Sequence, residues 1–313
     1  MDGLLIVDKP SGPTSHDVVA RVRRLLREKR IGHTGTLDPM ATGVMLLVIG
    51  KATRLATFLN ASEKSYNAVV RFGFATDTAD ASGQPIGPPS ERPLPTREEI
   101  DAALDAFRGT FMQQPPAFSA KKIGGQRSYK LARKARNTGG HAGPPLQASA
   151  PIGLPDLPAP ARVTTTRLEI ALVEADTVTL SVDCSAGFYV RSLAHDLGAR
   201  LGVGAHLTAL RRTRTGDFGL DRAITLDAAE REPQHAAASV ITPAAMLPHL
   251  PSVMLTAQEV DRIEHGQDVR PISHRASAVS HQPFVRLMSP AGELLAIAEP
   301  TVGGALHPSV VLV

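Results

Sequence analysis

The sequence predicts an α+β fold, and three observations in its 313 residues support that reading. Short strand-like runs outnumber long helical stripes along the chain. Two of those runs, 163–173 and 177–184, read as an antiparallel pair. Prolines around 247–252 mark a boundary, beyond which one short helix and two strands make a small β-rich module.

A chain of this length can hold one large domain and a small appended one, each with its own core, and we divide it into 1–250 and 251–313. Hydrophobic residues at 42% and charged residues at 20% are ordinary for a folded protein and exclude global disorder. Cys184 is the single cysteine. It excludes an intrachain disulfide framework and multi-cysteine zinc patterns, and fits a reducing compartment, the cytoplasm. The apolar run 4–7 gives way at once to Asp8-Lys9-Pro10, so neither a signal peptide nor a membrane span is expected there.

Residues 4–7 read as a short buried strand. Thr14, with Asp17 three residues later, makes a capping-box-like start for a helix reaching about residue 28. Val18, Val19, Val22, Leu25 and Leu26 fall on one face of it, with Arg23, Arg27 and Arg30 on another. Residues 44–49 are a continuous apolar run, as a fully buried strand requires. Over 66–74 the pattern alternates, with Tyr66, Ala68, Val70 and Phe72 on one side. A polar turn over 76–83 and a proline-rich connection over 85–95 follow. Thr96 and Glu99 open a second helix, in which Ile100, Ala103, Leu104 and Phe107 recur at the helical period before Gly109 ends it. Residues 137–161, rich in Gly, Pro and Ala, read as a mobile excursion. Val190, Leu193, Ala194, Leu197 and Leu201 form a further helical stripe closed by Gly202. The C-terminal module is expected to hold a helix over 256–265 and strands near 284–288 and 294–298.

The most informative stretch is Gly32-His33-Thr34-Gly35-Thr36-Leu37-Asp38-Pro39-Met40-Ala41-Thr42-Gly43. It sets one carboxylate on a turn bracketed by glycines that permit positive φ and close approach of a bulky ligand. Pro39 fixes its own φ and keeps Asp38 out of the helical region. Two readings stand on these residues alone: an Asx turn, in which the Asp-Pro pair caps its own backbone, and a carboxylate aimed at a ligand.

The net charge of +4 is modest evidence for a polyanionic partner, and its distribution says more. Between 121 and 136 stand seven basic residues, Lys121, Lys122, Arg127, Lys130, Arg133, Lys134 and Arg136, and no acidic one. Tyr129 lies among them, and Arg211, Arg212 and Arg214 form a second cluster. Both are candidate phosphate-tracking surfaces, with a merely solvated basic face as the alternative.

Several chemistries are excluded. Six residues separate Gly43 from Gly50 where a phosphate loop has four, and Ala52 replaces its Ser or Thr. The histidines show no HExxH or paired spacing, so no metal is expected. No Gly-x-Ser-x-Gly elbow is present. Cys184 ends an apolar strand and reads as a buried small hydrophobe, and His195-Asp196, at the edge of a helical stripe, as structural. There remain Asp38, the strand tyrosine Tyr66, the segment 184–191 ending in Arg191, and basic surface. That set suits chemistry on a nucleotide: a lone carboxylate can attack an electrophilic carbon or take a proton, an arginine can keep it ionised, and an aromatic can stack on an extruded base.

The order Leu5-Ile6-Val7-Asp8-Lys9-Pro10-Ser11-Gly12, the 32–43 turn, Lys64-Ser65-Tyr66, Thr76-Asp77-Thr78 and Gly187-Phe188-Tyr189-Val190-Arg191 resembles the bacterial tRNA pseudouridine-55 synthase family, TruB, over about residues 2–250. The resemblance implies isomerisation of uridine 55 in the tRNA T loop to pseudouridine, with no cofactor and no metal. It also implies a mixed, mostly antiparallel sheet flanked by helices over 1–250, with an RNA-clamping insertion at about 118–161. Residues 251–313 resemble a PUA-like RNA-binding domain, mainly through Leu294, Ala296, Ile297 and Ala298.

By position, the resemblance makes Asp38 the catalytic aspartate, Tyr66 the tyrosine that stacks on the flipped base and takes part in proton transfer, and Arg191 the arginine paired with the aspartate. His33 matches a residue supporting the flipped-out loop, Lys9 a basic residue near the pocket, and Leu210 an apolar wall beside Arg211 and Arg212. Tyr189, Lys121, Lys122 and Arg211 are expected RNA contacts. The family's insertion is usually shorter and more charged than the Gly- and Pro-rich 137–160 stretch here. The expected partner is the T-arm stem-loop of tRNA, recognised by shape, with no guide RNA and no membrane, by a monomer. An RNA-binding chaperone and a guide-RNA-dependent enzyme are the alternatives, and the long insertion after Lys121 favours the stand-alone form.

Overall fold

The computed structural model describes residues 1–117, 158–270 and 283–312, together with the backbone of the strand pair Lys122–Ile123 and Gln126–Arg127. Ten strands make one sheet: β1 (Gly3–Lys9), β2 (Ile31–Thr34), β3 (Thr42–Ile49), β4 (Lys64–Phe72), β5 (Gly109–Gln113), β6 (Ala161–Glu174), β7 (Thr177–Cys184), β8 (Ala205–Thr215), β9 (Phe218–Gly219) and β10 (Ile224–Thr225). Their order is β10-β1-β3-β8-β4-β7-β6-β5, with β2 paired to β3 and β9 to β8. Only β1 with β10 and β3 with β8 run parallel, so the sheet is mixed and mostly antiparallel, as the sequence led us to expect.

The unbroken apolar runs in β1 and β3 have a direct cause, since both faces of these strands are covered. Leu5, Val7, Met45, Leu47 and Ile49 enter the core under the helices. Leu4, Ile6, Val44, Leu46 and Val48 enter a second core on the opposite face. On the helical side lie α1 (Ser15–Leu26), α2 (Arg97–Leu104) and α3 (Val190–Leu201). Thr14 with Asp17 and Thr96 with Glu99 form complete capping boxes, and Gly202 closes α3 at φ 71°. Gly198 lets α3 approach β8 so closely that a side chain there would meet the backbone at Ala205. After α2 comes a single 3-10 turn, Asp105–Phe107, and Gly109 then opens β5 instead of merely ending a helix.

The C-terminal sheet has the order β11 (Ser252–Met254), β12 (Val285–Met288), β13 (Leu294–Pro300) and β14 (Leu306–Val311), two strands more than the sequence suggested. With α4 (Ala257–Glu264) it encloses its own core of Val253, Leu255, Ile263, Val285, Leu287 and Leu295. Its other residues Met288, Leu294, Ile297 and Leu312 pack onto the back of the main sheet. There Phe58 also meets Phe284 edge-on at 4.9 Å.

The strand the sequence hides is β8. It pairs with both β3 and β4 at the sheet's centre, but bulges between Leu207 and Ala209 and between Arg212 and Arg214 break its period of two, and its arginines mask its burial. The expected excursion over 137–161 lies outside the described residues up to 157, and its last residue, Ala161, opens β6.

Candidate active site

Asp38 stands on a turn held from three sides. Leu37 is buried, and the Ser15 hydroxyl both donates to its carbonyl (3.0 Å) and accepts from its N–H (2.9 Å). From below, the Lys9 ammonium donates to the carbonyls of Pro10 (2.9 Å), Pro39 (3.1 Å) and Ala41 (2.7 Å). The Gly12 N–H donates to the Pro39 carbonyl at 2.8 Å. Gly43, at φ 101°, lies so close to β8 that a Cβ would fall on the carbonyl oxygen of Arg212. Gly35 takes φ 80°, whereas Gly32 is an ordinary strand residue in β2 with no positive φ.

With its backbone fixed in this way, the carboxylate turns to Arg191 and not to its own turn. Arg191 Nε lies 2.9 Å from Asp38 Oδ2, and Nη2 donates to Oδ1 at 3.2 Å. This is a bidentate, charge-assisted pair, which fixes the carboxylate plane as well as its position. Arg191 is itself buried, and it also donates to the Thr78 carbonyl (3.2 Å) and faces Asp80 Oδ2 at 3.8 Å. Asp80 is held by Thr78 Oγ1 (2.7 Å), the Ser82 N–H (3.0 Å) and Ser82 Oγ (2.5 Å). The start of α3 is clamped by the buried Gln113 amide, which donates to the Tyr189 carbonyl (3.0 Å) and accepts from its N–H (2.8 Å).

Tyr66 is half-buried on β4, opposite Arg212 in the β4–β8 register. Burial raises its phenol above the ordinary range, and the positive charge of Arg212 works against that rise. Two buried ammonium groups lie nearby. Desolvation brings both Lys9 and Lys64 down to about 8. Desolvation likewise pushes the Cys184 thiol up to about 12, as its reading as a buried hydrophobe requires. His195 is buried and held toward its neutral form by desolvation.

The remaining expected residues are dispersed. His33 is half-buried on β2, its ring 5.4 Å from His16 and edge-on to it. Leu210 is buried on β8, opposite Ala68. Arg211 is partly exposed and paired with Asp8, its Nη2 2.7 Å from Oδ2. Lys9 is fully enclosed beneath the turn. One expectation needs correction. Arg212 is 1% exposed and Arg214 is paired with Glu63, so the 211–214 cluster is not an open phosphate track. Lys121 and the side chain of Lys122 lie outside the described residues. Sequence reasoning missed Asp80, Gln113 and Arg212 as parts of the site, because each looks like a solvated loop or surface residue until the fold buries it.

The arrangement places an oriented carboxylate, an arginine and a phenol at one end of a rigid sheet, on elements that are far apart in the chain. The model of the "TruB family pseudouridylate synthase (N terminal domain)" matches residues 23–144, and that of the "tRNA pseudouridylate synthase B C-terminal domain" matches residues 191–245. The tRNA pseudouridine synthase B of Solibacter usitatus is 42% identical over 314 residues, covering 100% of both chains. That of Thermobifida fusca is 42% identical over 321 residues, covering 99% of this chain and 98% of its own. Among solved structures, a chain in "Crystal Structure of a Cbf5-Nop10-Gar1 Complex" superposes with a TM-score of 0.71 at 26% identity, covering 99% of this chain and 85% of that one. A chain in "Structure of H/ACA RNP bound to a substrate RNA containing 2'-deoxyuridine" shares the fold, with a TM-score of 0.68 at 24% identity, covering 99% of this chain and 85% of that one.

Proposed function

The chain belongs to the TruB family of pseudouridylate synthases, and from that membership we propose that it converts uridine 55 in the T loop of tRNA to pseudouridine. In this reaction the N1–C1′ bond breaks, a C5–C1′ bond forms, a proton leaves C5 and a proton is returned to N1. Substrate and product are isomers, so no co-reactant is consumed. The observation that supports this best is the bidentate Arg191–Asp38 pair on a turn fixed by Lys9, Ser15 and Gly43.

In this reading the target uridine is extruded from the loop, at an unpairing cost of a few kcal/mol, and stacks on Tyr66. Asp38 acts on the extruded nucleotide as the glycosidic bond is exchanged, and Tyr66 takes part in the proton transfer. Arg191 orients Asp38, and Leu210 contributes an apolar wall. His33, Tyr189 and Arg211 contact the RNA, joined by Lys121 and Lys122 in an insertion that clamps the stem-loop. Lys9 supports the Asp38 turn from the interior. The division at 250 belongs to the same proposal, and the separate core beneath β11–β14 supports it. We assign the active form as a monomer working without guide RNA.

The test is to incubate the purified protein with an unmodified T-arm stem-loop, no other RNA being present, and to map pseudouridine by carbodiimide labelling. Product at the position equivalent to 55 is expected. Absence of product, or product that Asp38→Asn leaves unaffected, defeats the reading, and product only after a guide RNA is added favours the guide-dependent form.

A further inference from the structure

One buried guanidinium joins the strands on which the site is built, and we propose that Arg212 is a positioning residue that locks the Tyr66 phenol and the Asp38 turn into a single frame. The proposal rests on the reading of Asp38 and Tyr66 given above. Arg212 lies on β8 opposite Gly43 of β3 on one side and Tyr66 of β4 on the other. Its side chain is among the largest fully buried ones of the described residues. Nε donates to the Val44 carbonyl at 2.7 Å and Nη2 to the Gly35 carbonyl at 3.0 Å, and the β4–β8 register sets the same residue directly opposite Tyr66. Gly35 stands three residues before Asp38, and a Cβ there would sit 3.3 Å from Arg212 Nη1. The turn leading to the carboxylate therefore rests directly on the guanidinium.

Two physical points give this arrangement a role beyond packing. Among the described residues Arg212 has no salt-bridge partner, and burying a guanidinium without a counter-charge is more costly than filling the space with an apolar side chain. An arginine also stays charged at every ordinary pH, so opposite Tyr66 it acts as a fixed positive charge. The charged and titratable groups facing the phenol are Arg212 from β8, Cys184 from β7 and Asp38 from the turn. Arg212 is the one among them that favours the phenolate. Lys64, on the same strand, spends its ammonium on the carbonyls of Asn60 (2.7 Å) and Ser62 (2.5 Å).

The chain has three tyrosines and no tryptophan, so phenolate absorbance reads the tyrosines without interference. Alkaline titrations of the full-length protein, Tyr66→Phe, Arg212→Lys and Arg212→Met would be combined with single-turnover pseudouridine formation, stem-loop affinity and thermal melts. The step missing in Tyr66→Phe belongs to Tyr66. In Arg212→Met that step is expected to move up by about one pH unit, and the rate to fall by about tenfold to a thousandfold while stem-loop affinity stays within about threefold. Arg212→Lys keeps the charge and restores part of the titration but, lacking the planar fork, only part of the rate. An unmoved Tyr66 step, a wild-type rate in Arg212→Met, or a rate loss no larger than the loss of folded protein overturns the proposal. If Arg212→Met does not fold, Arg212→Lys decides: a wild-type rate and an unmoved step in that variant overturn it. A parent protein that titrates as expected but makes no pseudouridine refutes the functional reading and leaves the role of Arg212 in placing the phenol intact.

Discussion

Arg191 grips Asp38 side-on, with Nε 2.9 Å from Oδ2 and Nη2 3.2 Å from Oδ1, across 153 residues of sequence. Two parallel contacts fix a plane where a single one fixes only a distance. Asp38→Asn replaces one acceptor oxygen by a donor and removes the charge, so we expect the single-turnover rate to fall by at least about a thousandfold with folding and stem-loop binding retained. Arg191→Lys keeps the charge but loses the fork, with an expected loss of about tenfold to a hundredfold. Both are checked by quench-flow on a labelled stem-loop.

Asp80 is the second carboxylate facing Arg191, at 3.8 Å. Its Oδ1 takes the turn's hydrogen bonds from Thr78 and Ser82, which an asparagine oxygen can also accept. Asp80→Asn is therefore expected to leave the fold within about 1 kcal/mol of the parent while lowering the rate by roughly tenfold, through a less constrained Arg191. Urea denaturation and single-turnover kinetics on the same preparation separate the two effects.

Gly43 permits the close approach of β3 to β8 at a φ of 101°. Gly43→Ala adds both backbone strain and a clash with the Arg212 carbonyl, and we expect a destabilisation of about 3 kcal/mol or more. A denaturation midpoint equal to that of the parent contradicts the geometry.

Lys9 is enclosed, and its ammonium is brought from the ordinary 10.5 down to about 8 by desolvation. Below pH 8 the group is charged in both folded and unfolded chains. As the pH rises from about 8 toward 10.5 the folded protein gives up this proton while the unfolded chain still holds it, so this group makes stability rise across that window. Lys9→Met removes the contribution. The stability difference between parent and variant is expected to change in favour of the parent by an amount on the order of 2 kcal/mol over that range, read from urea midpoints at successive pH values.

Much of the scaffold was legible in the sequence because local chemistry dictates it. Thr14 with Asp17, Thr96 with Glu99 and Gly202 each announce a helix end through a hydrogen bond or a backbone conformation available within a few residues. The apolar runs of β1 and β3 announce full burial. The arginines of β8 did not announce a central strand, since a buried guanidinium and a solvated one are written with the same letter. Gly109 was read as a stop because helix ends and strand starts both favour glycine at positive φ.

By itself the sequence determined the α+β class, the glycine-bracketed turn with Asp38, the strand bearing Tyr66 and the helix headed by Arg191, because period, capping and turn residues are local properties. It left two readings of Asp38. Only the tertiary structure showed that the carboxylate turns to Arg191, on a distant helix, by bringing that guanidinium against both oxygens. It alone showed that Lys9 and Arg212 lie inside the protein and Arg211 at its surface. Those outcomes depend on which strands pair with β8 and on which face is covered, and such long-range choices are set by the packing of the whole sheet.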